Sequence, residues 1–333
     1  MFLKQYLICL FALLSGPALA QDFYKGKTIP FVIGFAVNNG YDTYSRLVVR
    51  HMGRHLPGNP LIVPQNMPGA ASIAAINHLY NAAARDGTVL GMVDQSAPLT
   101  QLIEPKAFKA DVTKFAWIGR ITDNAAVLYG WHSAPVQNIT QAFDKELIVA
   151  APGQSSRALM TFLQNLLGLK LRILTGYRGP NDSRLAMERG EIHALTQPYS
   201  VLRAEKPDWL RDKTVTLLLQ VSVDSHSDLK HIPIVTELAR NAGERELIEF
   251  IAGNSRIGRA VVSPPGQPPE RVAELRRAFM ETMRDPEFLS DIKKLDLDLN
   301  PLPGQDLQSF VERAVLVPPE LVEKAKNLAG IKD

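Results

Sequence analysis

The residues best suited to hold a small ligand lie between Phe35 and Asp42, directly after a short apolar run. The run Ile29–Phe35 is rich in β-branched and aromatic residues and predicts a buried strand. The Asn- and Gly-containing residues 36–40 allow a sharp turn, and apolar residues at helical spacing follow. A strand, a turn and a helix start bring free backbone N–H groups to the positive end of a helix dipole, which can hold an anion. An ordinary strand–helix connection explains the same pattern and stays open here.

A second candidate is the turn Pro152–Ser156, which precedes a predicted helix over 157–167. Hydroxyl and backbone N–H donors are concentrated at this helix start, as an anion site requires. Ordinary N-capping by Ser155 accounts for the same residues, and both interpretations stay open. The stretch matches the G-x-S-x-G turn of a nucleophilic serine only in part, because Arg157 stands in place of the second glycine.

No catalytic or metal-binding set emerges from the other reactive side chains. His51 and His55 are four residues apart, which suits a metal, but no third ligand is evident and we expect a solvated helix face. Arg157, Arg178 and Arg184 lie near loops of the second half, where an arginine in a cleft can pair with a carboxylate. The sequence therefore favours binding over catalysis, with an enzyme of unknown chemistry as an alternative.

The composition is that of an ordinary globular protein. The chain has 333 residues, 46% of them hydrophobic and 21% charged, enough for one large domain or two of medium size. The formal net charge is +3, with no dense run of lysine and arginine, so nucleic-acid binding is not indicated.

Residues 1–20 have the three-part pattern of a secretory signal. A basic start at Lys4 precedes the apolar stretch Tyr6–Leu14, and an A-x-A sequence predicts cleavage after Ala20. A membrane anchor is the alternative, but so short an apolar stretch does not span a bilayer. The single cysteine, Cys9, lies in this segment, so the mature chain would have neither a disulfide nor a reactive thiol. We expect a soluble protein exported to the periplasm.

The predicted elements place three loops at one edge of a sheet. Strands are predicted over 60–66 and 88–93, with a helix over 71–84 between them. Strands that alternate with helices in this way indicate a parallel sheet covered on both faces, and ligands collect at the carboxyl ends of such strands. The loops Val37–Tyr41, Met67–Ser72 and Gln95–Ser96 should therefore converge.

A second series of strands and helices runs from about Leu147 to Val221, and a mostly helical tail follows from Pro233. In the second series the pattern predicts strands over 147–150, 171–175, 192–196 and 214–221, after a strand over 125–131 and a short helix over 138–143. In the tail it predicts helices over 234–242, 244–252, 270–285, 286–295, 305–315 and 319–328, and a strand over 256–262. Two α/β lobes form a cleft between them, a preferred place for small-molecule sites.

These segments resemble the substrate-binding proteins of tripartite tricarboxylate transporters, the Bug or TctC family. The resemblance runs from about residue 22 to residue 330 and includes the segments KTIPFVIGFAVNNGYDTYSRLV, IVPQNMPGAASIAAINHLYNAAARDGTVLGM, FAWIGRI, APGQSS, GYRGPNDSRLAMERGEI and VVSPPGQPPERVAELRRAF. The family's N-x-P-G-A turn and D-G-x-x-L strand are matched at Asn66, Pro68, Gly69, Ala70, Asp86, Gly87 and Leu90.

The resemblance implies an α/β, type II periplasmic binding protein with two lobes, a hinge and an interlobe cleft. Lobe 1 is expected to contain residues 22–126 and 222–333, and lobe 2 residues 127–221, with crossings near 126–131 and 219–223. A small carboxylate would bind in the cleft, largely through backbone N–H groups and waters of the first loop, without a cofactor or metal. The positions expected to contact the ligand are Phe35, Ala36, Val37, Asn38, Asn39, Gly40, Tyr41, Asp42, Gly69, Ala70, Ala71, Gln95, Ser96, Gly153, Gln154, Ser155, Ser156, Tyr177, Arg178, Gly179 and Gln197.

The chain departs from the family pattern in two places. Residues 37–41 read VNNGY where the family usually has glycines and small residues, and residues 196–198 read TQP where it often has an acidic residue. A tricarboxylate is therefore not assumed as the ligand. The expected partners are the membrane subunits of a tripartite transporter, and the protein is expected to be monomeric. Presentation of the ligand to a signalling receptor is the alternative.

Overall fold

The computed structural model describes residues 23–331 as an α/β protein with two β-sheets. The predicted signal peptide, residues 1–20, lies outside the described residues. The strands are β1 (Thr28–Ile33), β2 (Leu61–Asn66), β3 (Leu90–Met92), β4 (Ala116–Arg120), β5 (Ala126–Trp131), β6 (Leu147–Ala150), β7 (Leu171–Leu174), β8 (Ala194–Pro198), β9 (Val215–Val221), β10 (Ala260–Ser263) and β11 (Leu302–Pro303).

The α-helices cover both sheets. They are α1 (Gly40–Met52), α2 (Ile73–Asn81), α3 (Ala97–Ile103), α4 (Gln154–Leu167), α5 (Pro180–Glu188), α6 (Tyr199–Glu205), α7 (Pro207–Arg211), α8 (Ala242–Ala252), α9 (Pro269–Thr282), α10 (Pro286–Lys294), α11 (Gly304–Val315) and α12 (Pro319–Ala329). Within residues 23–331, no helix has the length and apolar character needed to cross a bilayer.

The first sheet has the strand order β11-β4-β10-β3-β1-β2. Strands β2, β1 and β3 are parallel, with Thr28 opposite Leu61 and Phe31 opposite Leu90. Strand β10 is antiparallel to both β3 and β4. The prediction of a parallel sheet is therefore correct for β1–β3. Strand β10, for which no direction was predicted, is antiparallel because the chain returns to this sheet from the other lobe and not through a crossover helix.

The second sheet has the order β7-β6-β8-β5-β9 and is also mixed. Strand β6 is parallel to β7 and β8, whereas β5 is antiparallel to β8 and β9. The chain enters this sheet through β5 and leaves it through β9, and Ala126 of β5 lies opposite Val221 of β9. The entry and exit strands are therefore neighbours.

The chain passes between the sheets at residues 121–125 and again within residues 222–259. The first crossing, predicted near 126–131, directly precedes β5, which belongs wholly to the second sheet. Helices α8 and α12 contribute buried residues to the core of the second sheet, among them Leu247 and Ala325. The lobe boundaries at 126 and 222 stay a prediction, and the structure shows that parts of 222–333 pack against both sheets.

Helix α1 lies on the first sheet with its predicted apolar stripe inward. Tyr44, Leu47, Val48 and Met52 are all buried. Helix α9 packs against α1 and β4, and its Phe279 is fully buried. This packing fixes the direction of α1, so its N-terminus stays at the carboxyl end of β1.

Some elements differ from those predicted. The patterns miss β4, α3, α6 and α7, and the predicted helix over 234–242 is wrong. That stretch contains only a 3-10 turn at Val235–Leu238. Helix α8 begins at Ala242 because the side-chain oxygen of Asn241 accepts a hydrogen bond from the Glu244 N–H at 2.9 Å and caps the helix there.

Gly119 on β4 provides a test of the packing of α9. A Cβ at Gly119 would overlap the ring of Phe279 and would lie 3.2 Å from the carbonyl oxygen of Leu302. We therefore expect Gly119→Ala to lower the free energy of unfolding by about 1–3 kcal/mol through overpacking, as measured by urea denaturation.

The control is Gly243→Ala, in the exposed first turn of α8, where a Cβ would meet only Asn241 Oδ1 at 3.5 Å. This change should be neutral or slightly stabilising. The double variant Gly119→Ala/Phe279→Leu should regain part of the lost stability, because the smaller side chain removes the overlap. Wild-type stability in Gly119→Ala would show that the Phe279 ring does not pack this closely on Gly119.

Candidate functional site

The first predicted loop is a bonded helix cap. Asn39 is the N-cap of α1: its side-chain oxygen accepts from the Asp42 N–H at 3.1 Å, and its side-chain amide donates to the Ala36 carbonyl at 3.0 Å. Among the described residues, the N–H groups of Gly40 and Tyr41 have no acceptor. The first turn of a helix leaves such groups free for an anion.

Asp42 ties this cap to β2 through a buried network. Its carboxylate accepts from the Asn38 N–H (3.1 Å), from Arg46 Nε (3.0 Å) and from Asn66 Nδ2 (2.8 Å). Asn66 also donates to the Phe35 carbonyl at 2.9 Å. Burial alone would raise the pKa of Asp42, but these hydrogen bonds outweigh it and lower the pKa below its usual value. Asp42 therefore stays ionised and orders the first loop.

The second loop, Gly69–Ser72, is strained. Ala70, Ala71 and Ser72 have φ values of 45°, 49° and 75°, in the left-handed region. This backbone costs roughly 1–2 kcal/mol for a residue with a side chain, and such strain is concentrated at ligand clamps and switch regions. The Asp94 N–H donates to Ser72 Oγ at 3.2 Å and holds the turn against the end of β3.

Tyr41 joins α1 to the third loop. Its ring stacks on Phe35 with centroids 4.0 Å apart, and its hydroxyl accepts from the Gln95 N–H at 3.1 Å. The hydroxyl also donates to Asp94 Oδ2 at 3.4 Å, and burial raises the pKa of Tyr41 above its usual value. The Ser96 N–H donates to Asp94 Oδ1 at 2.7 Å. The structure thus brings the three predicted loops of the first lobe together, with Tyr41 as part of the scaffold.

A buried arginine that the sequence patterns did not single out lies against these loops. Arg259, just before β10, is 4% exposed, and its Cζ is 3.8 Å from the centroid of the Tyr41 ring. Its Nη2 donates to Asn124 Oδ1 at 3.5 Å, while its Nη1 has no partner within residues 23–331. In the sequence, the one feature that could have indicated Arg259 is its charge, directly before the apolar residues 260–262. This segment was predicted as a strand and not as a loop.

The second-lobe turn at Gly153 differs from its predicted form. Gly153 is the N-cap of α4, so N-capping by Ser155 is wrong. The Ser156 hydroxyl donates to the Gly153 carbonyl at 2.8 Å and accepts from the Gly153 N–H at 3.1 Å. The side chains of Gln154 and Ser155 lie outside the described part of the structure. A surface groove beside this turn is lined in part by Gly153 and Arg157.

The loop Tyr177–Gly179 precedes α5. Arg178 is 90% exposed in its side chain and pairs with Asp182 at 2.7 Å, so its charge is already compensated. Tyr177 packs partly against the second-lobe core, and burial raises its pKa. Gly179 is the N-cap of α5.

Gln197 on β8 lies opposite Val127 of β5, two residues after the first crossing. It is buried, and its Nε2 has no partner among the described atoms. Its Oε1 accepts from Arg184 Nη1 at 3.5 Å. Arg184 is also buried but pairs with Glu205 and hydrogen-bonds to Asn181. Gln197 therefore offers an unused donor near the crossing, whereas Arg184 does not.

The expectation of a solvated face at His51 and His55 is wrong. His51 is 2% exposed, and its Nε2 lies 3.0 Å from Asp291. His55 Nε2 lies 2.9 Å from Asp285. Helix α10 packs on α1 and supplies this acidic surface. Over the described residues, no group of three His, Cys, Asp or Glu is placed to hold a metal.

We expect Asp42→Asn to lower the free energy of unfolding at pH 7 by about 1–3 kcal/mol, because the variant amide faces groups that already donate. The contribution of Asp42 is complete above the carboxyl pKa of the unfolded chain. Because the folded pKa is depressed, this contribution is lost as the pH falls below about 4, through the folded value. The difference in the free energy of unfolding between Asp42→Asn and the wild type should therefore be smaller below about pH 4 than at pH 7. Urea denaturation under the two conditions measures it.

Asp182→Asn is the matched control. Asp182 also occupies the third position of its helix and pairs with an arginine four residues away, but its side chain is 32% exposed, against 4% for Asp42. Loss of the Asp182 charge should change the free energy of unfolding little. Equal losses in the two variants would contradict the role of the buried network.

Comparison with known proteins assigns the family. Residues 45–326 match the family described as "Tripartite tricarboxylate transporter family receptor". A curated Cupriavidus necator protein, described as "UPF0065 protein in gbd 5' region", is 24% identical over 321 residues, which cover 92% of this chain and 90% of that protein.

Solved structures share the fold. A TctC solute-binding protein from Polaromonas has a TM-score of 0.68 at 16% identity, covering 90% of this chain and 99% of its own. A Rhodopseudomonas palustris protein solved with adipate has a TM-score of 0.62 at 19% identity, covering 91% and 97%. MatC from Rhodopseudomonas palustris, solved with malate, has a TM-score of 0.58 at 18% identity, covering 89% and 98%. The family match spans most of the chain, and this chain therefore belongs to the tripartite tricarboxylate transporter receptor family of periplasmic solute-binding proteins.

Proposed function

We propose that this protein captures a small carboxylate at the carboxyl ends of β1, β2 and β3 and delivers it to the membrane subunits of a tripartite transporter. The observation that carries this proposal is the joining of three loops around the unbonded N–H groups of Gly40 and Tyr41. Backbone donors at a helix N-terminus favour a negatively charged group. The related structures with adipate and malate support a carboxylate as the ligand class.

The ligand lies between lobe 1, residues 22–126 and 222–333, and lobe 2, residues 127–221. In this proposal, closure brings the turns at 153–156 and 177–179 toward the first-lobe loops, and Gln197 Nε2 donates to the ligand from the second sheet. The adjacency of β5 and β9 supports hinge closure, because the two segments that enter and leave the second sheet lie side by side. Ordered waters complete the contacts of the first loop.

The mature protein begins after Ala20, acts as a monomer and catalyses no reaction. Binding without catalysis is supported by the family and by its solved members, which are solute-binding proteins. The signal pattern of residues 1–20 supports export through the inner membrane.

A thermal-shift screen tests the ligand class. We expect adipate, malate or another small carboxylate to raise the melting temperature, since a ligand that binds only the folded state stabilises it by about 2.7 kcal/mol at a hundred times its Kd. The corresponding amides at equal concentration should have no effect, because they carry no charge. Stabilisation by the amides and not by the acids would contradict the proposal.

Asn39→Asp tests the location of the site without removing the cap. Aspartate caps a helix as well as asparagine, but it adds a negative charge beside the proposed anion site. We expect carboxylate binding, measured by calorimetry, to weaken about tenfold or more through charge repulsion. The control is Asn241→Asp, the same change at the N-cap of α8. Unchanged affinity in Asn39→Asp would place the ligand elsewhere.

A further inference from the structure

We propose that Arg259 is the cationic group of this binding site and forms a direct ion pair with the ligand carboxylate. This inference rests on the proposed function and names the side chain that would select a charged acid over a neutral analogue. It concerns a residue outside all of the loops that the sequence patterns point to.

The first argument is the burial of Arg259 without an acidic partner. Arg259 is 4% exposed and makes no ion pair with a carboxylate among the described residues. A buried charge without a counter-charge is unfavourable, so such a group is expected to acquire one from a ligand. Within residues 23–331, its guanidinium nitrogens have only neutral acceptors nearby, namely Asn124 Oδ1, at 3.5 Å from Nη2, and the Tyr41 hydroxyl.

Other buried arginines show what a structural role looks like in this protein. Arg120 has no acidic partner in the described part of the chain either, but it donates to the Arg256 carbonyl at 2.6 Å and to the Asn300 carbonyl at 3.0 Å. Arg184 pairs with Glu205. Arg259 differs from both because its Nη1 is buried and has no partner in the described chain.

The second argument is the direction in which the guanidinium points. A Cβ on Gly40, the first residue of α1, would lie 3.2 Å from Arg259 Nη2. The guanidinium also covers the ring of Tyr41, which follows Gly40. The helix start with its two unbonded N–H groups therefore lies beside a guanidinium whose Nη1 has no partner among the described residues. A planar fork of donors beside a helix N-terminus matches the two oxygens of a carboxylate.

The third argument is the position of Arg259 at the first crossing. Its backbone N–H donates to the Thr122 carbonyl, and its carbonyl accepts from the Ile121 N–H, both at 2.9 Å. A carboxylate on Arg259 would therefore be held at the segment that joins the two lobes. Since the side chain is almost fully covered, the ligand reaches it while the lobes are open, and closure then seals the ion pair from water.

The test compares Arg259→Met with Arg259→Lys and with Arg277→Gln, which removes one positive charge from the outer face of α9. Adipate and malate are the probes, and calorimetry gives their affinities. We expect Arg259→Met to weaken binding at least about 30-fold, as loss of one partner of a buried ion pair does. Arg259→Lys should retain part of the affinity, because it keeps the charge but not the fork. Arg277→Gln should bind as the wild type does.

The melting temperature of the unliganded variants separates binding from a structural role. Arg259→Met without ligand should melt at or above the wild-type temperature, because a buried unpaired charge has been removed. A lower melting temperature with unchanged affinity would overturn the proposal and make Arg259 a packing residue.

Wild-type affinity in Arg259→Met would also overturn the inference, while leaving carboxylate binding by the wild type intact. If the wild type itself binds neither acid, the proposed function fails for these ligands and the role of Arg259 fails with it. Should Arg259→Met not fold, equal affinity of Arg259→Lys and wild type would count against the fork geometry.

Discussion

The site depends on one buried carboxylate, that of Asp42. It lies in the first turn of α1, where negative charge is favoured by the helix dipole. Its oxygens join the turn before the helix, the helix itself and the end of β2. Without this network, the loop after β1 would lose the bonds that join Asn38 and Asn66 to the helix start, and the N–H groups of Gly40 and Tyr41 would be held less firmly. The geometry that suits a ligand is therefore a consequence of an interaction made for folding.

The same carboxylate changes the electrostatics of the helix start. The Asp42 carboxylate already interacts with the positive end of the α1 dipole. Arg46, one turn later, compensates the negative charge of Asp42. A ligand carboxylate at this point would thus face donors but no free positive charge from α1. Arg259, just before the strand that returns from the second lobe, places a positive charge against Tyr41, whereas the first turn of α1 contains none. A site assembled from distant parts of the chain in this way can couple binding to the relative position of the lobes.

A feature of this structure is predictable from the sequence when the residues that determine it are close together in the chain. The parallel strands β1–β3 and the stripe of α1 are local patterns of period two and period 3.6, and the sequence predicts them well. The antiparallel placement of β10 is not local, because it depends on which strand the returning chain meets. Likewise, His51 and His55 read as surface residues from the sequence alone, whereas α10 buries His51 and both histidines pair with acids. The candidate loops were predictable because strand order places them at one edge, whereas Arg259 was not, since a charged residue beside a predicted strand does not by itself indicate a binding site.

The unusual composition of the first loop has a different meaning in the folded protein. From the sequence alone, the side chains of Asn39 and Tyr41 would be expected to point into the pocket and reduce the space for a ligand. In the structure, the Asn39 side chain is used to cap α1, and Tyr41 is packed between Phe35 and Arg259. These two side chains are therefore occupied by contacts within the protein. In the proposed site, the groups that would select the acid are therefore the two unsatisfied donors, Arg259 Nη1 beside this loop and Gln197 Nε2 on the second sheet. If both groups hold one acid, as proposed, the length of that acid depends on how far the lobes close, because Gln197 belongs to the second sheet and Arg259 lies beside the first.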